Sequence, residues 1–238
     1  MTVEDRIAEI LLNVIERAVQ KTCFLFCLLL MLAGVWSLYD TALLYYDASD
    51  QSVLRFRPQS SGETGNLYES LRGSVSWLVL DGAGVDDPIM QGKDNMEYLN
   101  RNPFGEFSLA GSLFLDCRNS ADFSDPYSMI YGHHMDHHMM FGALDQYMEK
   151  EFFDTHESGR LYVNDEILEL KIIAAAECSA YDQRVFEPGE ADQVKEFIQS
   201  HALYLREFNP EEDCRIVAFS TCRYPDTESR TVVFALIL

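Results

Sequence analysis

Residues 215–238 read RIVAFSTCRYPDTESRTVVFALIL, and this stretch decides the fold. Two β-rich apolar runs, Arg215–Ser220 and Arg230–Leu238, flank a polar loop, 223–229, that contains Pro225. Apolar runs of this length on either side of turn residues read as a strand, a loop and a strand. In such a hairpin Cys222 and Arg230 face each other across the turn. A structural cysteine more often sits inside the apolar run, whereas one at its edge can be exposed and reactive. A cation opposite it can lower the thiol pKa or stabilise an oxyanion. Taken alone, a solvated hairpin arginine and an inert thiol remain open.

Working back, Tyr131-Gly132-His133-His134-Met135-Asp136-His137-His138 follows a short apolar run, Met129–Tyr131. His133 and His137 are four apart, as are His134 and His138. On a helix each pair would share a face, as metal ligands do. No Glu lies between them as a metalloprotease base would. The preceding strand and Gly132 indicate a strand-to-loop exit instead. There His134, His137 and His138 are expected to be exposed loop histidines. A histidine at a strand end, just after Gly132, is well placed as an acid or base.

The rest of the outer region supplies short elements. Strands are expected at Val75–Leu80, Pro88–Gln91, Ser112–Leu115, Met129–Tyr131, Arg160–Val163 and Ile167–Glu177. Helical turns are expected at Leu67–Leu71 and Asn95–Leu99. Longer helices are expected at Phe141–Phe153 and Gly189–Arg206. Many short strands with a few helices between them imply a mainly β fold with helices (α+β), a barrel or sandwich with helical insertions.

The N-terminus has a different character. Thr22–Tyr39, TCFLFCLLLMLAGVWSLY, holds 18 residues without a charge, and after Asp40 the apolar run resumes to Tyr46. Eighteen helical residues cover about 27 Å, close to the hydrocarbon thickness of a bilayer. Trp36, Tyr39, Tyr45 and Tyr46 gather at one end as interfacial aromatics do. Arg17 and Lys21 precede the run, which favours an N-terminus inside and the remainder outside. A cleaved signal peptide is the competing reading, but no small-x-small cleavage site follows. Residues 1–21 have the apolar spacing of a short amphipathic helix. Residues 47–66 are polar and read as a linker. The expected division is a cytosolic segment 1–21, a transmembrane anchor 22–46, a linker and helical region 47–72, and a catalytic domain 73–238.

Composition bounds the partners. The 238 residues carry Lys+Arg 18 against Asp+Glu 39, a formal net charge of −21. Phosphate neutralisation needs cationic clusters that this chain lacks, so nucleic acid is not an expected partner. An apolar fraction of 47% is ordinary for a packed domain and excludes general disorder. Six cysteines, Cys23, Cys27, Cys117, Cys178, Cys214 and Cys222, include no CxxC pair, and neither a secreted disulfide framework nor zinc-ribbon spacing is present.

Together, STC followed eight residues later by Arg230 on a strand, with Gly132-His133 at a strand end about ninety residues upstream, resembles the sortases. The resemblance runs from about Gly73 to Leu238 and is closest to class B. Gly73, Trp77-Leu78, Asp81-Gly82 and the stretch from Asp87 through Tyr98-Leu99-Asn100 match the opening of that class. Gly111–Asp116 with Arg118-Asn119 match its next block, and Tyr131–Met135 with Met140-Phe141 match its histidine block. The resemblance implies an eight-stranded sortase β-barrel preceded by N-terminal helices, with a helix before the penultimate strand. It implies Cys222 as nucleophile, His133 as acid/base and Arg230 as the third catalytic residue. It further implies Tyr131, Asn95, Leu99, Ser220 and Thr221 as groove-lining, substrate-binding positions. The family's T-L-x-T-C motif is here Ala218-Phe219-Ser220-Thr221-Cys222, which departs at its first two positions, and Arg223 stands where some relatives carry an acidic or small polar residue.

The activity so implied is cysteine transpeptidation at a C-terminal sorting motif of a secreted surface or pilin protein. The acceptor amine is a peptidoglycan cross-bridge or a pilin lysine, and neither cofactor nor metal is called for. Two alternatives stand beside it: a non-catalytic sortase-like scaffold for pilus or wall assembly, and a metal hydrolase built on the histidine run.

Overall fold

The computed structural model describes residues 3–49, 51–59, 65–188, 191–210, 213–222 and 228–238. It separates into two units, the helix up to Tyr46 and the chain from Asp47 to Leu238. The first is one continuous helix, α1 (Val3–Ala48), in which the expected amphipathic segment and the apolar run are not divided. Among the described residues it is the one helix long and apolar enough to cross a membrane, and none of its apolar window is buried within the chain. Phe24, Leu25, Phe26, Leu29 and Trp36 are all exposed.

The second unit is a closed barrel. Its strands are β1 (Ser74–Leu80), β2 (Val85–Met90), β3 (Leu113–Leu115), β4 (Tyr127–Tyr131), β5 (Ser158–Val163), β6 (Glu166–Ser179), β7 (Tyr204–Leu205), β8 (Arg215–Cys222) and β9 (Ser229–Ile237). The order β5-β1-β2-β3-β4-β8-β9-β6 closes on itself through a β5–β6 pairing, which gives the eight expected strands. Two-residue β7 adds a ninth on the outer edge of β6. Pairing is antiparallel except β2–β3 and β4–β8, which are parallel.

Strands β8 and β9 are apolar on both faces for a physical reason. Val217, Phe219, Val233 and Ala235 face the barrel interior, with Leu78, Ile89, Phe141 and Leu144. The alternate residues Ile216, Ala218, Val232 and Phe234 pack outside against Val185, Val194, Phe197 and Ile198. These come from α4 (Gln183–Phe186) and α5 (Asp192–His201). A strand covered on both sides reads as a continuous apolar run, which is why the C-terminal hairpin is the most legible part of the sequence.

Several expectations change. The linker region is not free: Gln51–Phe56 forms a 3-10 helix whose Val53 is buried with Leu67, Leu71 and Trp77, beside α2 (Gly65–Ser70). Arg57 pairs at 2.9 Å with Asp86, which also accepts from the Trp77 indole at 2.7 Å. The helix expected over Phe141–Phe153 is two pieces, a 3-10 helix at Phe141–Met148 and α3 (Lys150–Thr155), because Glu149 is extended (φ −97°, ψ 123°). The helix expected over Gly189–Arg206 runs only from Asp192 to His201. Ala202 turns extended, and Tyr204–Leu205 then joins the sheet; Gly189 lies outside the described residues.

Candidate active site

Two pairings bring the sequence motifs to one end of the barrel. The parallel β4–β8 register sets Tyr131 beside Ser220, and the Gly132 N–H donates to the Ser220 carbonyl at 3.1 Å. The antiparallel β8–β9 register sets the backbone of Cys222 beside Arg230 and that of Thr221 beside Thr231. The Cys222 side chain and residues 223–227 lie outside the described residues. Gly132 is required by close approach: a side-chain carbon there would press into Leu113 and the Phe141 ring. The chain therefore leaves β4 tightly and presents His133 beside the end of β8.

His133 is half-buried, with Nε2 2.7 Å from the Leu99 carbonyl oxygen. A carbonyl only accepts, so Nε2 is the donor in this contact and carries a proton. His134 departs from the exposed-loop expectation. Only 17% of its side chain is exposed, and Nε2 lies 2.7 Å from Asp145 Oδ2. His137 and His138 are exposed, as expected. Both have positive φ, so the run is a turn and the helical metal-ligand alignment does not form. Among the described residues no group of three His, Cys, Asp or Glu side chains could hold a metal ion.

Two of the groove-lining candidates, Asn95 and Tyr131, meet on one buried carboxylate. Asp116 is fully buried just past β3. Its Oδ2 accepts from the Asn95 amide at 2.9 Å and from the Tyr131 hydroxyl at 3.0 Å. Arg118 grips both carboxylate oxygens at 2.9 Å, donates to the Phe186 carbonyl at 3.0 Å and reaches Glu187 at 3.1 Å. Burial raises the Asp116 pKa, but the bonds from the Arg118 side chain and backbone and from Asn95 outweigh it, holding the carboxyl below the usual range. Burial, with the neighbouring Asp116 charge, pushes the Tyr131 hydroxyl well up, so it remains a neutral donor. Asn95 Oδ1 also accepts from the Cys117 N–H at 2.8 Å. Leu99 contributes its carbonyl to His133. Ser220 and Thr221 are buried, and Ser220 Oγ has no hydrogen-bond partner among the described residues.

Arg230 has a cysteine position on each side. β9 pairs it with Cys222 of β8 and with Cys178 of β6. Burial pushes the Cys178 thiol up to about 12, with Asp182 adding to the rise and Arg230 opposing it. Cys178 therefore stays a thiol near neutral pH. Cys117, Cys178 and Cys214 are all unpaired thiols. Sequence reasoning gave no role to Asp145 or Cys178. Only long-range register brings them to the site, and nothing local marks either one. Asp116 and Arg118 fell within a matched block, but their mutual grip was not readable there.

The comparisons agree in one direction. No family model matches the chain. The sortase B of Listeria monocytogenes is 29% identical over 196 residues, covering 81% of this chain and 78% of that protein. The crystal structure of a Streptococcus pyogenes class B sortase involved in pilus biogenesis is 34% identical with TM-score 0.67, covering 73% of this chain and 96% of that one. A Staphylococcus aureus sortase B–substrate complex is 26% identical with TM-score 0.68, covering 78% and 89%.

Proposed function

The chain belongs to the class B sortases, cysteine transpeptidases, and we propose that within this family it is a membrane-anchored enzyme that uses Cys222, His133 and Arg230. One observation carries the reading. The Cys222–Arg230 backbone pair and the Gly132–His133 strand exit meet at the same end of the barrel, joined by the Gly132 to Ser220 hydrogen bond. Two stretches about ninety residues apart in sequence, the β4 exit and the β8–β9 hairpin, converge there.

The proposed chemistry follows from the parts. The Cys222 thiolate attacks the carbonyl carbon of a threonine within the sorting motif. Arg230 holds the substrate and stabilises the developing oxyanion. The C–N bond then breaks, and protonated His133 passes its Nδ1 proton to the departing amine. A thioester on Cys222 remains. An incoming amine loses its proton to His133, attacks the thioester carbonyl and expels the thiolate. One amide bond is broken and one is made, with no net hydrolysis. Leu99 holds the imidazole by its other nitrogen throughout. Asn95, Tyr131, Leu99, Ser220 and Thr221 are the proposed substrate-binding set, of which Asn95 and Tyr131 are anchored on Asp116.

The proposed substrates are secreted surface or pilin proteins, and the acceptor is a peptidoglycan cross-bridge or a pilin lysine. The proposed division is a cytosolic segment 1–21, a span 22–46, a helical connection 47–72 and a catalytic domain 73–238 outside the membrane. The exposed apolar face of α1 supports the anchor.

The test is a variant series assayed for cleavage of sorting-motif peptides. Cys222→Ala and His133→Ala are expected to lose at least about a thousandfold in rate, in line with removal of a nucleophile or its partner, with melting temperature retained. Activity that persists in Cys222→Ala would refute the assignment.

A further inference from the structure

We infer that Asp145 is a positioning residue that, with His134, sets the distance between the histidine loop and the strand carrying Arg230. This rests on the catalytic roles proposed above for His133 and Arg230.

The loop after β4 is not relaxed. His137, His138 and Met140 have φ of 61°, 58° and 48°, left-handed values that side chains other than glycine adopt at a cost. Such backbone persists only where its surroundings over-determine it. Here the Phe141 N–H donates to the His133 carbonyl at 3.0 Å, His134 and Met140 form an isolated bridge, and Gly142 packs on the Met135 backbone so closely that a side-chain carbon would overlap the carbonyl oxygen. These contacts tie the loop to itself and to the 3-10 helix that follows.

One carboxylate ties it to strand β9. Asp145 lies on that 3-10 helix, and its Oδ2 is 2.7 Å from His134 Nε2, a charge-assisted length. Its Oδ1 accepts from the Thr231 hydroxyl at 3.4 Å. His134 is one residue after His133, and Thr231 is one residue after Arg230. Thr231 is also the cross-strand partner of Thr221, the residue before Cys222. Asp145 therefore links residues that neighbour all three proposed catalytic residues. Thr231 is wholly buried and fixed in the β8–β9 ladder, so this end of the link is rigid, and the strained loop is the end that is held. A small displacement of a proton-transfer group costs up to about a hundredfold in rate.

The test uses the full chain in detergent micelles, with His134→Ala, Asp145→Ala, Asp145→Asn and the double alanine variant. Two readouts are followed: kcat and KM for thioester formation, and the ring NMR resonances of His133, assigned through His133→Gln. Positioning predicts that kcat falls about 10- to 100-fold in each alanine variant while KM changes little, and that the His133 ring resonances move. The double variant should be no worse than the singles, because both remove one link. Asp145→Asn, whose amide can accept from His134 and donate to Thr231, should recover most of the rate. Unchanged kcat and unchanged His133 resonances, with only a lower melting temperature, would reduce the link to a stabilising contact and overturn the inference. A loss as complete as that of His133→Ala would overturn it the other way, making His134 itself the acid/base. If the unaltered chain forms no thioester with any sorting peptide, the catalytic reading fails by itself, and the His133 resonances alone decide whether Asp145 holds the loop.

Discussion

At the residue scale, the buried Asp116 and the half-buried Asp87 respond to pH in opposite senses. Asp116 sits below its ordinary pKa, so its contribution to stability is present above the unfolded value and is lost as pH falls through the lowered one. Removing it leaves the Asn95 amide and the Tyr131 hydroxyl without their acceptor, while the exposed Arg118 keeps Phe186 and Glu187. Asp116→Ala is expected to cost about 1–3 kcal/mol, the range for a buried polar group left unsatisfied, measurable by denaturant unfolding. Asp87 behaves in reverse. Burial pushes it up from 3.8 to about 6, the Asp86 carboxylate adds to this, and the Asp86 N–H opposes it. The folded state then holds the proton more tightly, so stability falls as pH rises between those two values. Asp87→Asn should remove this slope and stabilise the chain near pH 7.5 by up to about 3 kcal/mol, the equivalent of about two pKa units. Melting temperatures of both forms at pH 5 and pH 7.5 check it: equal slopes would show that Asp87 does not titrate there. The three proposed catalytic residues were legible because each stands at a strand edge beside glycine or a polar turn. Asp145 was not, since its importance comes from what folding places around it.

At the element scale, the β8–β9 hairpin carries both the site and the core. Phe219 is fully buried, with its ring centroid 6.1 Å from that of Phe141 in an edge-on contact. Phe219→Ala should cost about 3–5 kcal/mol and loosen the support beneath the histidine loop, read as a lower melting temperature together with slower acylation. The hairpin was the easiest element to read because burial on both faces writes itself as an unbroken apolar run. The 3-10 helix was misread for a related reason. Phe141, Gly142, Ala143, Leu144 and Tyr147 are all buried, so apolar spacing resembled one long helix, while the break at Glu149 has no glycine or proline to announce it. Tyr204–Leu205 was absorbed into the preceding helix because its pairing with Ala174 and Ala175 of β6 is a long-range fact without local periodicity. The region 47–66 read as a linker because, among its described residues, only Val53 and Pro58 are buried.

At the scale of the whole molecule, the chain combines an apolar helix with a closed barrel of large negative charge. Among the described residues, closure leaves two-residue β7 as the sheet's edge, which limits strand-to-strand association. Removing residues 1–46 should release the barrel from membranes without abolishing peptide cleavage; sedimentation of vesicles with the full and shortened chains checks this, and co-sedimentation of the shortened chain would place the membrane contact elsewhere. Fold class and the strand-end placement of His133, Cys222 and Arg230 could be read from sequence because they rest on local patterning. The network around Asp116 and the link through Asp145 could not, because they join side chains from separate elements that only the fold brings together. The central claim is that Cys222 carries the acyl group. Its most direct test is peptide-mapped mass spectrometry of the full chain after incubation with sorting-motif peptides, followed by a glycine, an alanine or a pilin-lysine peptide as amine. The account predicts a thioester on Cys222 that one of these amines resolves into a new amide. An adduct on Cys117, Cys178 or Cys214, or amide formation that persists in Cys222→Ala, would contradict it.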